Sequence, residues 1–168
     1  MTAKPLVTIL MGSDSDYATM ERTVQVLHDF EISYEVRVMS AHRTPEQVAS
    51  HVRRASKTGT KIFIAAAGGA AHLAGAVAAQ TTLPVIGVPI SSTELQGMDA
   101  LYSTVQMPPG VPVATVAIGK FGATNAALLA IQILALHDAK LQQKLKKYKE
   151  SMRDKVIKAD RELQKKLH

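Results

Sequence analysis

The sequence predicts an α/β fold: a three-layer sandwich around about five parallel strands, of the flavodoxin or Rossmann kind, followed by a long C-terminal helix. Three observations support this. Short apolar runs alternate with helix-like stretches, which is the pattern of a parallel sheet covered on both faces. The first run, residues 6–11, is continuously apolar, as expected of a strand buried on both sides. Residues 137–168 are highly charged but carry an apolar residue every three or four positions.

Strands are predicted over residues 6–11, 33–39, 61–67, 84–88 and 113–118. Helices are predicted from residue 17, over 45–57, from the glycines at 68 and 69 to about 80, over 98–105, over 123–136 and from 137 onwards. The second helix has the clearest start. Thr44 fits its N-cap, Pro45 its first position, and Gln47 would complete a capping box with Thr44.

The domain organisation follows from these elements. Residues 1–138 form one predicted α/β catalytic domain, and residues 139–168 form a helical extension that packs on neighbouring subunits. The helix over 123–136 is apolar nearly all round, so burying one face does not cover it. Together with the apolar stripe of the extension, this predicts a homo-oligomer, because exposed apolar surface of this extent usually marks an interface.

Composition excludes several classes of protein. There is no cysteine, so disulfides, thiolate metal sites and a cysteine nucleophile are ruled out. The N-terminus does not resemble a signal peptide, and the apolar segment over 123–136 is too short for a membrane span, so we expect a cytoplasmic protein without membrane contact. The net charge of +6 lies entirely within residues 136–168, which contain one aromatic residue, so we expect no nucleic-acid partner.

The residues with the most chemistry follow the strands. Ligands of parallel α/β sheets bind at the carboxyl ends of the strands, so the loops at 12–16, 40–44 and 67–72 should converge on one edge. The loop at 40–44 offers His42, whose imidazole can exchange a proton near neutral pH, beside the fixed cation Arg43. Both precede a helix start, which favours anions. This turn therefore combines phosphate binding with proton transfer.

Other residues of these loops are weaker candidates. Ser13, Ser15 and Asp16 are expected first of all to cap the helix that follows them, and alternatively to bind a phosphate and ribose hydroxyls. Gly68 and Gly69 would allow backbone N–H groups to approach a ligand closely. Taken alone, His72 is more readily interpreted as a structural histidine. The four remaining histidines are expected on the surface: His28, His51, His137 and His168.

Several chemistries lack their motifs. The chain has no G-x-G-x-x-G after a strand, no Walker A sequence and no G-x-S-x-G elbow. No histidine–carboxylate spacing indicates a metal site. We therefore expect no cofactor and no metal, and acid–base chemistry on a small phosphorylated molecule.

Four stretches in register resemble a known family. Residues 12–16 (GSDSD), 40–45 (SAHRTP), 67–73 (AGGAAHL) and 106–108 (QMP) are similar to the signature of class I PurE, over roughly residues 5–140. The resemblance implies an isomerase of de novo purine synthesis, an N5-carboxyaminoimidazole ribonucleotide mutase working after N5-carboxyaminoimidazole ribonucleotide synthetase. It would move the carboxylate from N5 to C4 of a phosphoribosyl aminoimidazole substrate by decarboxylation and recarboxylation, as a cytoplasmic octamer.

The resemblance also assigns residues. His42 matches the catalytic general acid/base, and Ser13, Asp16 and Arg43 match nucleotide-binding positions. The remaining members of the predicted substrate pocket are Gly12, Ser40, Ala67, Gly68, Gly69, Ala70, His72 and Leu73.

Two alternatives remain open. Class II members carboxylate aminoimidazole ribonucleotide directly with CO2 and tend to carry lysine at the position of Arg43, so Arg43 favours class I. A non-catalytic nucleotide-binding oligomer is the second alternative. The connection over residues 89–97 is the candidate for a lid that closes over the substrate.

Overall fold

The computed structural model describes residues 4–167. The strands are β1 (Val7–Met11), β2 (Tyr34–Val38), β3 (Ile62–Gly68), β4 (Val85–Ile90) and β5 (Ala114–Thr115). The helices are α1 (Tyr17–Asp29), α2 (Pro45–Thr58), α3 (Leu73–Ala78), α4 (Met98–Val105), α5 (Gly119–Ala135) and α6 (Ala139–Leu167). A 3-10 turn over Asp14–Asp16 precedes α1. The order confirms the predicted alternation of strands and helices.

The five strands form one parallel sheet in the order β2-β1-β3-β4-β5. Strands β1 and β4 and most of β3 are buried, which explains their nearly continuous apolar sequences. One face of the sheet, including Leu10 and Phe63, packs with Val48 and Val52 of α2 and Leu73 of α3. The right-handed crossover rule places α1 on the other face, because β1 to β2 runs in the opposite direction to β2 to β3. The parallel three-layer prediction is therefore confirmed.

Helices α1 and α5 are joined across that second face. The hydroxyl of Thr23 donates a 2.7 Å hydrogen bond to the backbone oxygen of Ala123, and Thr23 is fully buried. Ala123, Ala126 and Ala127 are also fully buried. Small side chains let α5 approach closely, and Gly122 is required there because a Cβ would overlap the backbone oxygen of Ala117.

Three predicted boundaries need correction. The helix predicted from residues 68 and 69 to about 80 spans only Leu73–Ala78, because β3 runs to Gly68 and a loop over 69–72 precedes the helix. Only Ala114 and Thr115 of the predicted 113–118 strand pair with β4. As an edge strand β5 has one neighbour, and after a hydrogen bond from Val116 N–H to the Gly87 oxygen (3.1 Å) the chain turns into α5. Helix α5 begins at Gly119, a turn earlier than predicted.

The prediction for His51 was wrong. Its side chain is 3% exposed, on the α2 face that also buries Val48 and Val52. Its Nδ1 lies 2.9 Å from Nη2 of Arg54, and its Nε2 lies 3.4 Å from Oε2 of Glu35 on β2, without a hydrogen-bond partner. Burial lowers the pKa of the His51 imidazole, against the opposing influence of Glu35.

Two of the other three histidines of this group are exposed. His28 and His137 are exposed as predicted, and His168 lies outside the described residues.

The chain divides into two compact units, one extending to Ile131 and one beginning at Gln132. The predicted domain boundary at residue 138 stays a prediction. Within the second unit, Leu141 is buried, whereas residues 151–167 are all exposed. Nowhere in residues 4–167 is a helix both long enough and apolar enough to cross a membrane.

Candidate active site

A cavity of about 350 Å³ lies at the carboxyl ends of β1 and β3. The chain leaves β1 toward β2 on one side and β3 toward β4 on the other, so this is the point at which the strand order reverses. Three loops reach it: the first loop (residues 12–16), the second loop (40–44) and the third loop (67–72). The cavity is lined by Gly12, Ser13, Ser15, Asp16, Ser40, Ala41, His42, Arg43, Ala67, Gly68, Ala70, His72, Leu73 and Ser92.

Eleven of the twelve residues assigned through the resemblance are in this set, and Gly69 is the one that is not. Gly69 adopts φ +61°, a left-handed conformation that favours glycine, and so shapes the loop next to the cavity.

The first loop is held by a capping box. The backbone N–H of Ser13 donates to Oδ2 of Asp16 (3.0 Å), and the Ser13 hydroxyl accepts from the Ser15 N–H (3.4 Å). Asp16 is 5% exposed, and burial raises its pKa although N–H groups of Ser13 and Gly12 oppose this rise. The residues that cap the helix thus also line the cavity, so the structural and the ligand-binding interpretations are compatible.

The second loop is closed by a different device from the one predicted. Thr44 is the N-cap of α2 and Pro45 its first residue, but the Thr44 side chain makes no capping hydrogen bond. Its hydroxyl instead accepts from the Ser40 N–H (3.0 Å) and donates to the Ser40 oxygen (3.1 Å). The Arg43 N–H also donates to the Ser40 hydroxyl (3.2 Å). These bonds shape the tight turn that carries His42 and Arg43.

Arg43 is anchored to the first loop. Its Nη2 donates to the backbone oxygen of Gly12 over 2.9 Å. A guanidinium has five N–H donors in a planar fork, so this bond leaves others for an anion. The bond directs a permanent cation toward the rim of the cavity next to Ser13.

His42 and His72 form a direct contact across the cavity. Nε2 of His42 lies 2.7 Å from Nδ1 of His72, and the rings meet edge-on at 82° with centroids 4.8 Å apart. One nitrogen must carry the proton and the other must accept it, so this bond couples the tautomers of both rings. His72 is therefore a partner of His42, which the sequence alone did not indicate.

The third loop packs closely against Ser92 at the cavity wall. A Cβ on Gly68 would overlap the Ser92 hydroxyl and lie 2.8 Å from Ser92 Cβ, so glycine is needed for Ser92 to pack there. The Ala71 N–H donates to the Ser103 hydroxyl of α4 (2.9 Å), which fixes the end of this loop. Sequence reasoning missed Ser92 because a serine in a polar connection carries no distinctive signal.

The connection that contains Ser92 is itself ordered by hydrogen bonds. The Thr93 hydroxyl donates to Oδ2 of Asp99 (2.6 Å), and this bond is the main reason that the pKa of Asp99 is lowered. In the described part of the chain, no group of three or more His, Asp or Glu side chains is placed to hold a metal ion.

Comparison with known proteins identifies the family. The family model described as AIR carboxylase matches residues 6–155. The chain belongs to the AIR carboxylase family. An N5-carboxyaminoimidazole ribonucleotide mutase of Pyrococcus abyssi is 56% identical over 149 residues, covering 89% of this chain and 84% of that protein. Proteins of the same name from Saccharolobus solfataricus (56% identity; 91% and 96% covered) and Escherichia coli (51%; 90% and 89%) are also similar.

Two solved structures share this architecture. A crystal structure of Treponema denticola PurE has a TM-score of 0.85 at 36% sequence identity, covering 95% of this chain and 98% of that one. A Treponema denticola PurE2 variant has a TM-score of 0.87, also at 36% identity. The resemblance to PurE noted from four short motifs is thereby confirmed over most of the chain.

Proposed function

We propose that this protein is an N5-carboxyaminoimidazole ribonucleotide mutase, an isomerase of de novo purine synthesis acting after N5-carboxyaminoimidazole ribonucleotide synthetase. The observation that supports it best is the His42–His72 hydrogen bond of 2.7 Å in the cavity, beside the anchored cation Arg43. The names of relatives that are 51–56% identical over at least 89% of this chain point to the same activity.

The binding step uses the rim of the cavity. Arg43 and the start of α1 attract the phosphate, because a guanidinium binds phosphate through parallel hydrogen bonds and a helix start carries partial positive charge. Ser13 lies next to it and donates a hydrogen bond to the phosphate, and Asp16 accepts hydrogen bonds from the ribose hydroxyls. The wall formed by Gly12, Ala67 and Gly68 presents few side-chain atoms, so the flat imidazole ring can lie close to the backbone.

The chemical step needs two proton transfers, one from His42 to the substrate and one from the substrate back to His42. His42 donates a proton to N5 as the N5–carboxylate bond breaks, which yields aminoimidazole ribonucleotide and CO2. C4 then attacks the carbon of that CO2, and His42 recovers a proton from C4 as the ring regains its aromatic state. Proton and carboxylate are both conserved, so no redox partner or ATP enters the balance. His72 holds His42 in the tautomer and orientation required.

We further infer a cytoplasmic homo-octamer. Phe121 at the start of α5 is 82% exposed, and Leu136 is 70% exposed, which leaves large apolar side chains for subunit contacts. The octameric number comes from the PurE resemblance, as does the cytoplasmic location. Size-exclusion chromatography with light scattering measures the subunit number directly.

The activity is tested with two parallel reactions. One contains N5-carboxyaminoimidazole ribonucleotide without added bicarbonate, and the other contains aminoimidazole ribonucleotide with CO2. We expect fast formation of 4-carboxyaminoimidazole ribonucleotide only in the first. Replacing His42 by Asn should lower kcat by roughly 10²- to 10⁴-fold while ligand binding is retained, because general acid–base catalysis contributes that much. His28→Asn is the matched control, since the side chain of His28 is 75% exposed and outside the cavity.

The outcomes separate the alternatives. Efficient conversion in the second reaction would make the protein a direct carboxylase. Binding without turnover in either reaction would make it a nucleotide-binding oligomer. Arg43→Lys tests the class marker: a lysine cannot both bond to the Gly12 oxygen and present a planar fork, so we expect KM to rise about tenfold.

A further inference from the structure

The distal half of α6 carries an apolar stripe that is mostly exposed. Its members are Tyr148, Met152, Val156, Ala159, Leu163 and Leu167. Tyr148 is half-buried and the other five are exposed, including Val156 at 70% and Leu167 at 67%. Their spacing of three or four residues places them on one helical face.

The distal stripe has a symmetric pattern. Along the chain its members are separated by four, four, three, four and four residues, which reads the same in both directions. Two copies of the helix placed antiparallel therefore meet layer by layer. Met152 lies level with Leu163 of the second copy, and Val156 lies level with Ala159. In the central layers Val156 thus meets the smaller Ala159, and in the next layers Met152 meets Leu163, a side chain of similar volume.

The charges beside the distal stripe select the same orientation. On the helical wheel, Arg153 and Asp160 lie on one flank of the stripe, and Lys155 and Glu162 lie on the other. In an antiparallel pair related by a two-fold axis, each flank meets its own counterpart. Arg153 then faces Asp160 of the second copy, and Lys155 faces Glu162. Each pairing occurs twice, so four opposite-charge pairs border the contact.

The parallel arrangement gives the reverse result. In a parallel, in-register pair each flank meets the opposite flank, which brings Arg153 next to Lys155 and Asp160 next to Glu162. Like charges at such positions are destabilising. Existing bonds do not block the antiparallel contact: Arg153 bonds to the adjacent Asp154 and Glu162 bonds to Lys165, each at 3.0 Å, and such exposed pairs contribute little to stability.

We propose that residues 148–167 of α6 form an antiparallel two-helix contact with the same segment of a second copy of this chain. The contact is isologous, so it closes on itself and adds a specific two-fold interface. The inference goes beyond the proposed mutase activity and does not depend on it.

Disulfide cross-linking tests the orientation in the full-length protein. The chain has no cysteine, so one introduced thiol is unique. Separate chains carrying Met152→Cys and Leu163→Cys are mixed, allowed to exchange subunits and oxidised. The antiparallel contact places these two positions at the same level, whereas two copies of position 152 are about 16 Å apart along the axis. We expect the mixture to form dimers at least about tenfold faster than either variant alone.

A matched control uses the opposite face of the helix. Asp154→Cys mixed with Arg161→Cys has the same symmetry about the centre of the contact, but both positions point away from the distal stripe. This mixture should not cross-link above background. All four substitutions change exposed residues, so folding should be retained.

Charge exchange provides an independent test with the same thiols. Arg153→Glu or Asp160→Arg alone places like charges opposite each other and should slow cross-linking roughly tenfold. Combining both changes in one chain reverses the two Arg153–Asp160 pairs, leaves the two Lys155–Glu162 pairs unchanged, and should restore the rate. The proposal is overturned by faster cross-linking within each single-thiol variant, which indicates a parallel pair, or by no cross-linking at all, which indicates a different occupant of the stripe.

Discussion

His72 should act on catalysis only through His42, and a substitution series can isolate this effect. The two rings share one 2.7 Å hydrogen bond, and both side chains are exposed enough for water to compete. A net contribution of about 0.5–1.5 kcal/mol is usual for such a bond. Because about 1.4 kcal/mol corresponds to a factor of ten, His72→Phe should lower kcat/KM by roughly 2- to 12-fold.

Two further variants test whether the nitrogen position matters. The side-chain amide of Asn can occupy the place of Nδ1, which is the atom that contacts His42, so His72→Asn should stay within about twofold of the parent. The amide of Gln reaches the place of Nε2 instead, so His72→Gln should behave like His72→Phe. The assay is formation of 4-carboxyaminoimidazole ribonucleotide at saturating and limiting substrate.

The His42→Asn/His72→Phe double variant tests whether His72 acts only by positioning His42. If His72 only positions His42, His72→Phe should have no further effect in a His42→Asn background, because residues acting as one unit are non-additive. Equal losses in both backgrounds would refute the positioning role. A loss above about 100-fold from His72→Phe alone would instead assign proton transfer to His72 itself.

Two other substitutions have definite outcomes. Burial lowers the pKa of His51, so the unfolded chain binds its proton more readily; the free energy of unfolding should be greatest above about pH 6.5 and fall as the pH drops below it. His51→Leu should flatten this loss in thermal unfolding between pH 7 and 5, and an unchanged slope would contradict the assignment. Gly68→Ala should displace Ser92 and lower kcat/KM by roughly 10- to 100-fold, with partial recovery in the Gly68→Ala/Ser92→Gly double variant.

Most of the fold could be predicted because the local patterns agree with the global architecture. The apolar runs of β1 and β3 and the helix starts at Pro45 and Met98 are determined by nearby residues. The end of β5 was not predictable in this way, since it depends on having a single neighbouring strand.

The His51 error has a different origin, because its signal was present in the sequence. Val48, His51, Val52 and Ala55 stand at positions i, i+3, i+4 and i+7, which is the pattern of a buried helical face. A polar residue on such a face was assigned to the surface by its chemistry rather than by its position. Its contacts with Glu35 and Arg54 come from tertiary packing and are not encoded locally.

The candidate site could also be predicted only in part. The convergence of three loops follows from the rule that strands of a parallel sheet end at one edge. The bond between His42 and His72 links residues thirty positions apart and requires the register of β1, β2 and β3. The closing of the second loop by Thr44 and Ser40 also differs from the predicted capping box, because the Thr44 hydroxyl finds both partners in the preceding turn.

The strand order has a consequence for synthesis on the ribosome. Strand β1 emerges first but lies between β2 and β3, so one of its edges stays unpaired until residues 62–68 have left the exit tunnel. An apolar strand with a free edge is prone to pair with other chains. The nascent chain therefore passes through a period of aggregation risk, and His42 is already synthesised then but cannot meet His72. Catalytic competence is thus acquired only after the centre of the sheet has closed.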